Sequence, residues 1–146
     1  METTDKILQA LPYGKNFCFV DAIESVDENS IKGYFTFRKD LPFYDSHFKG
    51  NPLVPGVIMI ETMGQIGMVC HLIYLMCDYN FKFLPVLSNV EAAFIGSADY
   101  GDTCYVIGKK IYFRNNILKS TAVLHKADGS LIATFAGNIM VVKNNE

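Results

Sequence analysis

Four residues in one short stretch carry the chemistry this chain can offer: His47, Gly56, Glu61 and Gln65. An imidazole titrates near neutrality, so His47 suits proton abstraction. Pro55-Gly56 reads as a helix start, because proline fits the first turn and glycine lets the backbone approach a ligand closely. The free N–H groups of such a terminus carry partial positive charge and can hold a developing oxyanion. Glu61 lies about 7.5 Å further along that helix at about 1.5 Å per residue. Its apolar surroundings favour the neutral, proton-donating form of a carboxyl. Gln65 follows one helical turn later, spaced to hydrogen-bond and orient that carboxyl. A base, an oxyanion site and an acid are the inventory for removing a proton beside a carbonyl and delivering one to a leaving hydroxyl. Alone, each residue has an ordinary explanation, such as a solvated loop histidine or a structurally paired glutamate. With the Pro55-Gly56 helix start between them, His47 and Glu61 make a candidate site.

The elements that must position these groups are readable from the pattern. Residues 40–55 hold Pro42, Gly50, Pro52 and Pro55 around His47 and read as a structured loop. Gly56 to Met76 is a run of 21 residues with Glu61 as its single formal charge. Its length alone allows a membrane span. Glu61, Thr62, Gln65 and His71 within it, and the absence of basic flanks, favour instead a helix buried at the centre of a soluble domain.

Upstream, Thr4-Asp5 is expected to cap a short helix with Ile7, Leu8 and Leu11 on one face, ended by Pro12 and Gly14. Phe17 to Val26 reads as a strand, Asp27 to Asn29 as a turn, and Ile31, Gly33, Phe35 and Phe37 as the buried face of a second strand. Downstream, strands are expected around Phe81–Ile95, Thr103–Phe113, Leu118–Lys126 and Leu131–Val142. Asn115-Asn116 and Asp128-Gly129 supply hairpin turns that tolerate positive φ. The order of helix, hairpin, loop, long helix and meander predicts one α+β domain over residues 1–146. In it an antiparallel sheet of about six strands wraps one long apolar helix.

Composition narrows the function. With 13 basic and 15 acidic side chains the formal charge is −2, which gives no electrostatic case for nucleic acid or an anionic membrane surface. Cys18, Cys70, Cys77 and Cys104 form no CxxC pair, so buried reduced thiols are expected rather than a zinc site or disulfides. Cys70 and Cys77 would share a helix face as small apolar fillers. The first residues lack a basic region followed by an apolar run, so no secretory signal is expected, and cytoplasm is the expected compartment.

The segment from His47 to Gln65 resembles the motif of the bacterial 3-hydroxyacyl-(acyl-carrier-protein) dehydratases, H-F-P-G-x-P-x-x-P-G-V-x-x-x-E-A-x-x-Q. It matches at His47, Phe48, Gly50, Pro52, Pro55, Gly56, Val57, Glu61 and Gln65. Leu11-Pro12, Phe19-Val20-Asp21, Ala93-Phe94 and Gly101-Asp102 extend the resemblance over most of the chain. It implies a hot-dog fold and an obligate dimer whose active site takes its histidine from one subunit and its acid from the other.

The same resemblance implies dehydration of a (3R)-hydroxyacyl thioester to the trans-2-enoyl thioester, with His47 removing the α-proton. The Gly56 N–H would polarise the thioester carbonyl and the Leu53 carbonyl would hold the His47 ring. Glu61 would assist departure of the hydroxyl and Gln65 would position Glu61. No metal or other cofactor is implied beyond the phosphopantetheine arm of the acyl carrier protein that brings the substrate. Lys82, Lys109, Lys110 and Arg114 are the candidate docking cations for that acidic partner, although a solvated strand face explains them equally well.

Lys49 stands where the motif has proline, Thr62 where it has alanine, and Tyr13-Gly14 where the common enzymes carry a basic pair. Tyr100 stands where they have the proline before Gly101-Asp102. These departures suggest a divergent member serving a specialised acyl, polyene or polyketide pathway. The hot-dog fold also hosts thioesterases, so an acyl thioesterase is one alternative. A non-catalytic partner subunit paired with a second hot-dog chain is another.

Overall fold

A computed structural model describes residues 1–80 and 82–143. The chain begins with helix α1, Thr3–Gln9, and a single 3₁₀ turn, Lys15–Phe17. Strands β1, Ala22–Val26, and β2, Ser30–Thr36, form a hairpin. Helix α2 runs over Gly56–Met76. Strands β3, Phe83–Phe94, β4, Thr103–Arg114, β5, Ile117–Lys126, and β6, Leu131–Lys143, complete the described elements. The six described strands make one sheet in the order β1-β2-β4-β5-β6-β3, with every pairing antiparallel. Six antiparallel strands around one helix are as expected, but only β4, β5 and β6 follow one another as a meander; β3 pairs with β6 at the far edge.

The core lies between α2 and the inner face of the sheet. Met59, Met63, Ile66, Met68, Val69, Leu72 and Ile73 of α2 are buried against Ile31, Phe35, Val106, Leu118, Leu124, Phe135 and Ile139. Each such side chain contributes on the order of 1.5–3 kcal/mol relative to exposure. The sheet alternates buried and half-exposed positions along β2, β4 and β5, the period-2 pattern of a strand with one face on a core. Helix and sheet meet backbone to backbone where Gly67 crosses Gly108. A Cβ at Gly108 would lie 2.6 Å from the Gly67 carbonyl oxygen, so only glycine fits there.

α2 is one unbroken helix containing a π turn over Gln65–Val69 between α-helical segments Gly56–Gly64 and Cys70–Met76. It is the one described helix long and apolar enough to cross a membrane, and most of its apolar window is buried inside the sheet.

Several sequence expectations need correction. α1 is capped by Glu2, not by Thr4-Asp5, which lie inside its first turn, where the Asp5 carboxylate meets the positive end of the helix. It ends at Gln9, so Leu11 is buried beyond the helix rather than on its face. The strand read over Phe17–Val26 begins only at Ala22, because Lys15–Phe17 winds into the 3₁₀ turn. Phe81, where the sequence reading starts the next strand, lies outside the described residues. Cys77 is exposed and ends α2 in a left-handed conformation at φ 51°, so it is not a buried filler beside Cys70. In the hairpin turns, Asn115 and Asn116 both take positive φ, whereas in Asp128-Gly129 only the glycine does.

β3 is an edge strand, hydrogen-bonded to β6 on one side and to no other described strand. Pro85 sits within it, a position tolerated only where the sheet has an edge. Leu84, Val86, Leu87, Val90 and Phe94 are nevertheless exposed along it.

Candidate active site

The His47 loop is built from a chain of turns. Tyr44 N–H donates to Leu41 O at 3.0 Å and His47 N–H to Phe43 O at 3.3 Å. The N–H groups of Phe48 and Asn51 each donate to the other's carbonyl, at 3.1 and 3.0 Å. The half-buried His47 ring stacks on Phe48 with centroids 4.3 Å apart. Two bonds tie His47 to Leu53: Leu53 N–H donates to His47 O at 2.8 Å, and His47 Nδ1 lies 3.1 Å from Leu53 O. A carbonyl only accepts, so the second bond requires the proton on Nδ1, and in the neutral ring Nε2 is then the acceptor.

α2 starts at Gly56, with Pro55 in an extended conformation as its N-cap. The Pro55 carbonyl accepts from Ile58 and Met59 N–H, while Gly56 and Val57 N–H have no acceptor among the described residues. The Phe94 ring closes over this start. A Cβ at Gly56 would lie 3.0 Å from it.

Glu61 projects from the helix into a cavity of about 220 Å³ whose walls include Tyr13, Phe17, Ile60, Pro85, Leu87 and Ile139. Gln65 is fully buried and holds Glu61 from behind. Its Nε2 donates to Glu61 Oε2 at 3.0 Å and to Phe17 O at 2.9 Å, and its Oε1 accepts from Phe19 N–H at 2.8 Å. Tyr13 lines the same cavity, and burial, then the neighbouring Glu61 carboxylate, pushes its phenol above the ordinary range.

One chain does not bring all the sequence candidates together. Leu53 joins His47, and Gln65 joins Glu61, but no described hydrogen bond links His47 to Glu61, and His47 is not among the walls of the Glu61 cavity. That cavity opens beside Pro85 and Leu87 of the unpaired β3 edge. The four candidate docking cations differ in their surroundings. Lys110 ion-pairs with Glu28 at 3.7 Å and its side chain is only 17% exposed. Arg114 lies over the Tyr112 ring at 4.2 Å; Lys109 is exposed on β4, the strand that also carries Lys110 and Arg114, and Lys82 is exposed just before β3. Tyr13 and Tyr100 had no assigned part in the sequence reading. Their signal was the departure from the common enzymes at those positions, outside the His47–Gln65 motif. Among the described residues, no group of three or more His, Cys, Asp or Glu side chains is placed to hold a metal.

The model of the FabA-like domain matches residues 11–135. The 3-hydroxyacyl-(acyl-carrier-protein) dehydratase FabZ of Caldicellulosiruptor bescii is 31% identical over 133 residues, covering 90% of this chain and 93% of that protein. Among solved structures, the dehydratase heterocomplex ApeI:P of Xenorhabdus doucetiae superimposes with a TM-score of 0.77, over 96% of this chain and 91% of that one, at 14% identity. A hypothetical thioesterase of Streptococcus pneumoniae with coenzyme A gives 0.64 over 85% and 87%, at 10% identity. The last two likenesses are of fold, and the fold they share is the hot-dog.

Proposed function

This chain belongs to the FabA-like family of 3-hydroxyacyl-acyl-carrier-protein dehydratases, and from that premise we propose how residues 1–146 act as one dehydratase domain. The substrate is a (3R)-hydroxyacyl group carried as a thioester on the phosphopantetheine arm of an acyl carrier protein. His47 Nε2 takes the α-proton, and the charge that develops on the thioester oxygen is held by the Gly56 N–H at the positive end of α2. The C3–O bond then breaks, the departing hydroxyl takes a proton from Glu61, and water and the trans-2-enoyl thioester leave. Leu53 O holds the imidazole, and Gln65 holds the carboxyl.

The observation that carries this reading is the His47–Leu53 bond, which in the neutral ring leaves Nε2 to accept and ties the imidazole to a residue three positions ahead of the α2 start. A thioesterase needs only a carboxylate and water, and would have no use for that pairing.

The catalyst is a dimer. His47 and Glu61 are not joined within one chain, and β3 offers a long apolar edge beside the Glu61 cavity. Pairing two such edges would extend the sheet and bury its exposed side chains. The expected setting is cytoplasmic acyl-chain synthesis. Tyr13-Gly14 and Tyr100 favour a specialised polyene or polyketide pathway over bulk fatty-acid synthesis.

The deciding experiment supplies a 3-hydroxyacyl carrier thioester and follows enoyl absorbance and free thiol together. Enoyl formation that His47→Ala abolishes supports dehydration. Thiol release without enoyl means hydrolysis. Neither signal, with binding retained, means a non-catalytic partner subunit.

A further inference from the structure

The carbonyl that holds His47 has a second donor. Tyr100 O–H donates to Leu53 O at 3.4 Å, on the oxygen that lies 3.1 Å from His47 Nδ1. A carbonyl oxygen has two lone pairs, so both bonds can be made at once. Tyr100 lies in the turn between β3 and β4, an element separate from the His47 loop, and reaches across to it.

The phenol is itself firmly placed. Its ring meets Tyr44 edge-on at 4.7 Å and tilts against Phe43 at 6.3 Å, so both aromatic contacts come from the loop that carries His47. Its backbone turn is pinned to the end of β2. Gly101 N–H donates to Phe37 O at 2.7 Å, and Phe37 N–H donates to Asp102 O at 3.0 Å. Asp102 Oδ2 closes the turn by accepting from Asp99 N–H at 3.1 Å. Gly101 itself takes φ +100°, which a side chain would strain. Burial and then the neighbouring Tyr44 hold the Tyr100 phenol above its ordinary range, so it stays a donor at neutral pH.

We infer that Tyr100 is a positioning residue for the dehydration: through the shared Leu53 carbonyl it fixes the His47 imidazole in the Nδ1–H tautomer and at the angle that presents Nε2. This rests on His47 being the base. The common enzymes that this chain resembles have proline at position 100, before the Gly101-Asp102 pair, and proline has no hydroxyl to give. Position 49, beside His47, has lost a proline to the exposed Lys49. The loop therefore lacks one stiffening ring, and Tyr100 restrains it from a neighbouring turn instead.

The test compares wild type, His47→Ala, Tyr100→Phe and Tyr100→Leu on a short soluble 3-hydroxyacyl thioester, with nitrogen NMR of the His47 imidazole in each protein that retains it. Tyr100→Phe keeps the ring and its packing. It is expected to lower kcat about three- to tenfold, the scale of one lost hydrogen bond, with KM changed less than about twofold. The NMR population should move away from the Nδ1–H tautomer. Tyr100→Leu should show the same loss of kcat together with a lower melting temperature, which separates packing from the hydroxyl. An unchanged kcat and tautomer in Tyr100→Phe, with His47→Ala inactive, overturns this inference and leaves the proposed reaction standing. A raised KM with unchanged kcat overturns it too, since the phenol would then serve substrate binding. If His47→Ala retains full activity, the catalytic reading fails, and with it the inference.

Discussion

Gln65 and Glu61 are joined by a 3.0 Å hydrogen bond in which the buried amide donates to the carboxyl one helical turn behind it. The rest of that amide is committed to the Phe17 carbonyl and the Phe19 N–H. Gln65 therefore links the acid of α2 to the segment leading into β1. Replacing it with leucine strands the buried Phe19 N–H and the part-buried Phe17 carbonyl and frees the carboxyl. The expected cost is about 2–4 kcal/mol of stability, read by denaturant unfolding. The expected loss of kcat is about ten- to a hundredfold. Full stability in Gln65→Leu would mean that water replaces the amide.

A site shared between two chains, as proposed above, predicts complementation. His47→Ala and Glu61→Gln should each be inactive alone. Co-refolded together, they form heterodimers in which one site carries both lesions and the other carries neither. Roughly a quarter of wild-type activity should return, since about half the dimers are mixed and each holds one intact site. No recovery, with mixed dimers demonstrated by differential tagging, would place both residues of a site on one chain.

The β3 edge predicts the oligomeric state. Val86 and Val90 are exposed apolar side chains on that strand. The pair Val86→Lys and Val90→Lys sets charge on an edge that would otherwise pair. Sedimentation should then show a monomer, with unchanged helix content and activity lowered more than about tenfold. A fully active monomer would sink the shared-site reading.

His71 predicts a pH dependence of stability. It is fully buried, its Nε2 bonds the Asp27 carbonyl at 2.8 Å, and its Nδ1 has no partner among the described residues. Desolvation lowers its pKa below 6.5, against the opposing effect of the Asp27 carbonyl and with help from nearby Lys110. The unfolded chain therefore binds a proton below about pH 6.5 that the folded one refuses. Stability should fall as pH drops from 7 to 5, by up to about 1.4 kcal/mol per unit. The Asp27 carboxyl, held below its ordinary range chiefly by Asn29 and Ser30 N–H groups, loses its contribution only at lower pH. Chemical denaturation of His71→Gln should show a flatter profile over this interval. An equal slope in both proteins would assign the effect to other groups.

Much of this fold was legible because its signals are local. β2, β4 and β5 alternate along their length, and Asn115-Asn116 marks a tight turn by residue type. The positions of His47, Gly56, Glu61 and Gln65 were legible from spacing along one loop and one helix. What stayed hidden depends on contacts distant in sequence. Phe17 looks like strand, yet its carbonyl is taken by Gln65, 48 residues away. The Tyr100–Leu53 bond spans 47 positions and leaves no periodic trace. Lys109 and Lys110 looked like one patch in sequence. Adjacent strand residues point to opposite faces, however, and Glu28 already occupies Lys110.

The π turn in α2 could not be read either, since a helix apolar on nearly every side has no stripe whose displacement would reveal it. Its consequence is a matter of phase. One extra residue in a turn rotates everything beyond it by about 100° relative to an ideal α-helix. Glu61 precedes that offset and His71 follows it, so the two ends of the helix are indexed to different walls of the same sheet. Deleting one residue within Gln65–Val69 would leave the composition almost unchanged and put those ends out of step. Either Glu61 would turn from its cavity or His71 from the Asp27 carbonyl.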